Sequence, residues 1–199
     1  MTGHEPSRGG RPGPDKDIVE AASLPRQDAV LSGATARGRP LYAAVIGAGD
    51  VLDGSPEVDA AEAVGRGLAE AGAVVVCGGL GGVMAAACRG AADAGGITVG
   101  LLPGSARTDA NPWVSVALPT GLGEARNALV VRAVDVVVAV GGGYGTLSEI
   151  GLALRTGRPV VGIGTWELAR GGEPDAGIER VSTAAEAVRR ALELAGEGA

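Results

Sequence analysis

The chain contains no phenylalanine, and tyrosine and tryptophan occur only twice each among 199 residues. Aliphatic side chains and alanine must therefore build the core. Histidine occurs once, at His4, and lysine once, at Lys16, both near the N-terminus. A lone histidine argues against histidine-based catalytic triads and against zinc centres with histidine ligands. No Gly-Lys-Ser/Thr phosphate loop exists, and the body of the chain has no lysine to hold pyridoxal phosphate. The two cysteines, Cys77 and Cys88, give neither a disulfide framework nor a CxxC pair. No metal site is expected. No apolar run reaches the roughly 18 residues of a membrane span, and the N-terminus has no apolar signal region. A cytoplasmic protein without membrane contact is the expectation. The formal charge of −6 argues against general binding to nucleic acid or anionic membranes. It leaves a local basic pocket open.

Glycine, in contrast, is abundant: 36 residues, about twice the usual share of roughly 7%. The glycines follow apolar runs without a Gly-X-Y period, which points to tight strand-to-helix turns. Residues 1–38 are rich in Gly, Pro, Arg and Asp and lack periodicity, so a disordered tail is expected there. Residues 39–199 form the expected folded domain. Strands are expected at 41–46, 73–77, 97–102, 114–118, 134–140, 159–163 and 178–181. Helices are expected at 56–71, 83–94, 124–133, 146–155 and 183–194. Ser55 and Pro56 mark the first helix start, and Thr183 with Glu186 fits a capping box at the last. Alternating βα units with unbroken apolar strands indicate an α/β, Rossmann-like, doubly wound parallel sheet in a single domain.

In such sheets ligands bind outside the carboxyl ends of the strands. Three glycine-rich turns fall there, at 47–49, 78–82 and 141–145. The last reads Gly-Gly-Gly-Tyr-Gly-Thr-Leu-Ser-Glu over residues 141–149, between an apolar strand and a helix expected to open on Thr146. Backbone free of Cβ atoms and the first N–H groups of a helix together make a phosphate-binding corner. Thr146 could donate its hydroxyl to a phosphate. Thr146 and Glu149 also fit a T-x-x-E capping box, and both readings can hold together. Arg126 lies near a helix start, where the dipole disfavours a cation, which hints at a phosphate-binding role. Asp135 interrupts an apolar strand and needs a partner, with a nearby backbone N–H the expected one. Cys77 and Met84 read as packing residues. Trp113 and Tyr144 could each stack on a base or anchor a loop.

Gly141 to Glu149 resembles the PGGxGTxxE motif of the lonely guy (LOG) family of cytokinin-activating phosphoribohydrolases. Residues 77–84, Cys-Gly-Gly-Leu-Gly-Gly-Val-Met, resemble its companion GGGxxGLM motif, and Arg126 falls where the family has its motif arginine. The similarity covers about residues 41–164. Gly141 replaces the motif proline, Cys77 the first glycine and Val83 the leucine. Ser148 stands where LOG enzymes commonly have a second glutamate. This wording, with Gly-Leu-Gly-Glu-Ala-Arg-Asn upstream, is closer to the molybdenum-cofactor-carrier-like branch of the superfamily.

The resemblance implies a homodimeric, Rossmann-like protein that binds a phosphate-bearing nucleotide or a nucleotide-derived cofactor, including the molybdenum cofactor, as carrier or sensor. The implied ligand site comprises Gly47, Gly49, Gly78, Gly79, Gly82, Met84, Arg126, Gly142, Gly143, Tyr144, Gly145, Thr146 and Glu149. An alternative is hydrolysis of the N-glycosidic bond of a nucleoside 5′-monophosphate, with Arg126 and Glu149 catalytic and no cofactor required. A second alternative is a non-catalytic interaction protein. The label of lysine decarboxylase, given to some relatives, conflicts with the position of the sole lysine.

Overall fold

A computed structural model describes residues 1–2 and 39–197. The expected tail therefore lies almost entirely outside the described residues. The order of elements is β1 (Tyr42–Gly47), α1 (Pro56–Glu70), β2 (Val74–Cys77), α2 (Gly82–Asp93), β3 (Thr98–Leu102), β4 (Val116–Pro119), α3 (Asn127–Arg132), β5 (Val136–Val140), α4 (Tyr144–Arg155), β6 (Val160–Ile163), β7 (Leu168–Arg170), β8 (Glu173–Asp175), β9 (Ile178–Val181) and α5 (Ala184–Glu197). Seven strands form one parallel sheet in the order β4-β3-β2-β1-β5-β6-β9.

Successive side chains of a strand point to opposite faces, and here both faces are covered. Ala43 and Val45 of β1 and Val136, Val138 and Val140 of β5 join α1, α2 and α5 in one core. Ala44, Ile46, Val137 and Ala139 join Val130 and Val131 of α3 and Ile150 and Ala153 of α4 in the other. Burial on both sides explains the unbroken apolar strands. Each fully buried valine or leucine contributes roughly 1.5–3 kcal/mol relative to exposure. Asp135, just before β5, accepts the Tyr42 N–H at 3.0 Å and pairs with Arg39 at 3.0 Å, so the backbone partner expected for it is present.

The strand order reverses between β1 and β5, where Gly47 lies opposite Val140. Chain leaving β1 and chain leaving β5 diverge there and open a crevice at the carboxyl ends of the strands. Position 47 must be small, because a Cβ there would come within 2.5 Å of the Val83 side chain.

The structure corrects several local expectations. The helix expected at 124–133 is a 3-10 turn, Gly123–Arg126, running into a short α3. Gly123 enters that turn at φ +55°, a conformation that breaks regular helix. The two-stranded hairpin of β7 and β8 was not expected. Its strands are three residues long and carry charges, but its Gly171-Gly172 turn, with both φ positive, is a hairpin signal. Not all the glycine serves strand-to-helix turns: Gly65 and Gly90 sit where α1 meets α2. A Cβ at either would lie 2.0 Å from a carbonyl oxygen of the opposing helix.

At α5 the capping box forms in altered detail. Thr183 Oγ1 accepts from Glu186 N, while the Glu186 carboxylate accepts from Ser182 N. Ser55 caps α1 through Val58 N, as expected.

Candidate functional site: a crevice at the strand reversal

Helix α4 begins at Tyr144, two residues earlier than the Thr146 start expected from sequence. Gly143 occupies the N-cap position with extended backbone and offers no side chain to the turn. Thr146 is thus the third helical residue, and its side chain is buried rather than capping. The T-x-x-E box does not form, because the glycines make the turn and a threonine inside the helix cannot cap it. The first turn of α4, whose N–H groups have no partner within the helix, lines the crevice. Their aligned dipoles favour an anion there.

Glu149 lies one turn further along α4 and is turned toward Arg126 instead of the helix end. Arg126 Nη1 donates to Glu149 Oε1 at 3.1 Å, and both side chains are about nine-tenths buried. Burial pushes the Glu149 carboxyl up to about 7, against the opposing pull of the Arg126 charge and hydrogen bond. Arg126 Nε is buried with no hydrogen-bond partner. The guanidinium lies over Gly78, where a Cβ would stand 2.3 Å from Nη2. Arginine with a spare N–H, held rigidly by a glycine floor, is suited to a fixed anion.

The crevice has a volume of about 920 Å³. Of the residues singled out from sequence, Gly47, Gly49, Met84, Arg126, Gly143, Tyr144, Gly145, Thr146 and Glu149 line it together. Gly78, Gly79, Gly82 and Gly142, also expected at the ligand site, are not among the residues that line this crevice. They stand behind it. Gly82 is at φ +57°, and a Cβ there would strike Ala48 O at 2.4 Å. That close approach lets Val83 N donate to Ala48 O at 3.0 Å and locks two of the three turns together. Gly142 packs against the Thr146 side chain, and Gly79 against Leu102.

Sequence reasoning missed Asn127, Ser148 and Leu152 as lining residues. Asn127 Nδ2 donates to Ser148 Oγ at 3.3 Å, and Ser148 Oγ donates to Gly145 O at 2.7 Å. Their adjacency to Arg126 and Glu149 in the motifs was the available signal. Trp113 anchors its loop, packed against Cys77, Met84 and Cys88 and 5.4 Å from the Arg89 guanidinium. The two cysteine sulfurs lie 3.4 Å apart, hydrogen-bonded but not disulfide-linked, and both residues are buried. Among the described residues no cluster of three or more His, Cys, Asp or Glu side chains could hold a metal ion. No helix among them is long and apolar enough to cross a membrane.

Comparison with known proteins agrees with this fold. The molybdenum cofactor binding protein of Rippkaea orientalis is 32% identical over 76% of this chain and 95% of its own, with a TM-score of 0.68. The Moco carrier protein of Chlamydomonas reinhardtii is 30% identical over 80% of this chain and 99% of its own, also with a TM-score of 0.68. An uncharacterized protein of Archaeoglobus fulgidus is 41% identical over 119 residues, which is 60% of this chain and 77% of its length. DNA processing protein A of Helicobacter pylori, whose structure concerns single-stranded DNA binding, is 22% identical with a TM-score of 0.58 and shares the fold alone. Residues 40–189 match the family model of the SLOG cluster4 family. By that match, which takes in the whole crevice, the chain belongs to the SLOG cluster4 family.

Proposed function

We propose that this protein binds a phosphate-bearing nucleotide or nucleotide-derived cofactor and acts as its carrier or sensor. The observation that carries the reading is Arg126, buried with its Nε unpartnered, beside the glycine-capped start of α4. Phosphate would sit between that helix end and the guanidinium. The crevice of about 920 Å³ is within the range of small-molecule sites. The molybdenum cofactor, which the names of the solved relatives suggest, fits the same residues. Arg126 and the N–H groups of Gly145 and Thr146 would hold its phosphate, and Tyr144 borders the space for its pterin. The cofactor would supply the metal chemistry, and these residues would bind and orient it. The formal charge of −6 supports a small-molecule ligand over nucleic acid.

A second reading, hydrolysis of a nucleoside 5′-monophosphate to ribose 5-phosphate and free base, is favoured by one observation. With its carboxyl pushed up to about 7, Glu149 is present at neutral pH in both protonated and ionised forms, as general acid–base work requires. Mass spectrometry of small molecules released from the purified protein, beside an assay for free base from added nucleotides, separates the two. A released pterin or nucleotide without base release supports the carrier. Base release that disappears in Glu149→Gln establishes the hydrolase.

Gly145 has a negative φ, and a Cβ there would meet nothing within 4 Å. Gly145→Val should therefore fold normally while its side chain intrudes on the phosphate turn. Calorimetric titration with nucleotides should show loss of binding. Unchanged affinity would place the site elsewhere.

The homodimer implied by the resemblance is also a proposal. Ile150 and Ala153 of α4 are fully buried, and Leu152 and Leu154 pack partly buried on the same core. That helix thus has little apolar surface to spare. Exposed Leu118, Leu122 and Leu129 are the better candidates for a symmetric contact. Light scattering at micromolar concentration should give twice the monomer mass, and a monomer mass would refute it.

A further inference from the structure

The chain has four aromatic side chains in all: Tyr42, Trp113, Tyr144 and Trp166. Tyr42 packs on the core, and Trp113 anchors a loop. The remaining two meet beside the crevice. Tyr144 is 82% exposed on the first turn of α4, with its ring centroid 5.6 Å from that of Trp166 and the planes inclined at 39°. Trp166, three residues beyond the carboxyl end of β6, donates from Nε1 to Gly143 O at 3.2 Å. The indole is thereby tied to the glycine turn, and the phenol rests against the indole.

Packing explains Trp166, which is half-buried against the same core as Tyr42, but it does not explain Tyr144. An aromatic side chain stabilises a fold by burying 150–250 Å², and Tyr144 leaves most of its surface in water. Of the flanking glycines, Gly143 caps α4, and Gly145 is left unexplained by the fold. Gly143 and Gly145 have negative φ, and a Cβ at either would touch nothing within 4 Å. Glycine inside the first helical turn, as at 145, costs stability relative to alanine. Bare backbone on both sides of an exposed ring leaves room for something planar to approach.

We propose that Tyr144, braced by Trp166, is the stacking platform for the fused nitrogen heteroaromatic ring of the ligand, of purine or pterin class. This rests on the reading of the crevice as a phosphate-ligand site, and it adds which end of the ligand lies where. The phosphate faces α4 and Arg126, and the ring lies on Tyr144.

The test is calorimetric titration of the full chain with three probes: guanosine 5′-monophosphate, a pterin monophosphate and ribose 5-phosphate. In wild type at least one ring-bearing probe should bind about tenfold or more tightly than ribose 5-phosphate, and the tighter of the two identifies the ring class. Tyr144→Ala should weaken that probe about tenfold, leave ribose 5-phosphate unchanged and keep the melting temperature. Tyr144→Phe should retain the affinity. Equal weakening of all probes, or no weakening of the ring-bearing ones, overturns the platform. Wild type that binds ribose 5-phosphate as well as the ring-bearing probes overturns the platform and spares the phosphate reading. Wild type that binds none of the three overturns both.

Discussion

Gly90→Val is expected to lower the melting temperature by roughly 6–12 °C, or to prevent folding. Gly90 lies on α2 where a Cβ would sit 2.0 Å from the carbonyl oxygen of Glu62 and 3.0 Å from Arg66 N. Those contacts are helix backbone of α1, which cannot swing aside as a side chain would. The helices must separate. Separation also stretches the ion pairs that cross the same interface, Arg89–Glu62 at 2.6 Å and Arg66–Asp93 at 3.1 Å. Overpacking of a filled core typically costs about 1–3 kcal/mol, and against rigid backbone the upper figure of about 3 kcal/mol applies. In a chain of this size each kcal/mol is worth about 2–4 °C. Gly151→Ala is the matched control. It lies in the interior of α4 with no atom within 4 Å of the added Cβ, so it should stabilise by about 0.5–1 kcal/mol. Thermal melts of the two variants should move in opposite directions. A melt of Gly90→Val like that of wild type would show that α1 and α2 are looser than this packing.

Arg126→Ala should weaken binding of a phosphate-bearing ligand about 10- to 100-fold, since a charge-assisted hydrogen bond contributes roughly 1.5–3 kcal/mol. The same substitution removes both influences that lower the Glu149 carboxyl, so that group should rise above its present value of about 7. The pH dependence in wild type follows from this pair. Below about 7 Glu149 is protonated, and the charge of Arg126 is left for the ligand. Above about 7 the carboxylate neutralises Arg126 and repels phosphate. Affinity for a phosphate monoester should therefore fall severalfold between pH 6.5 and 8. The ligand itself changes little there, because its second ionisation lies near 6. Glu149→Gln should flatten the profile, and a wild-type affinity that rises over this window would sink the argument. Stability carries the same sign. The carboxyl is raised in the folded state from 4.5 to about 7, so the folded chain holds more protons than the unfolded chain between those values. The contribution of Glu149 to stability is present below 4.5 and is lost as the pH climbs through 7.

Much of the architecture was legible in the residues because it follows from local periodicity. The apolar runs that became β1, β2, β3, β5 and β6 have no polar face, which only a sheet covered on both sides can accommodate. Ser55-Pro56 and Thr183 with Glu186 announced helix starts because capping is a matter of a few consecutive atoms. Helix ends set by glycine backbone were harder. Tyr144 rather than Thr146 opens α4, since the residue that caps it, Gly143, has no side chain to signal the role.

The sequence by itself determined the fold class, the glycine turns at the strand ends and the candidacy of Arg126 and Glu149, because these depend on residue type, spacing and motif. Tertiary structure alone decided which glycines line the crevice and which buttress it. It decided that Gly65 and Gly90 bring two helices together, and that the Glu149 carboxyl meets a guanidinium 23 positions away instead of its own helix end. It also set Trp166 against Tyr144 across 22 positions. Each of these is a close approach between segments apart in the chain, fixed by how the sheet sets its helices and turns side by side and not by any local pattern.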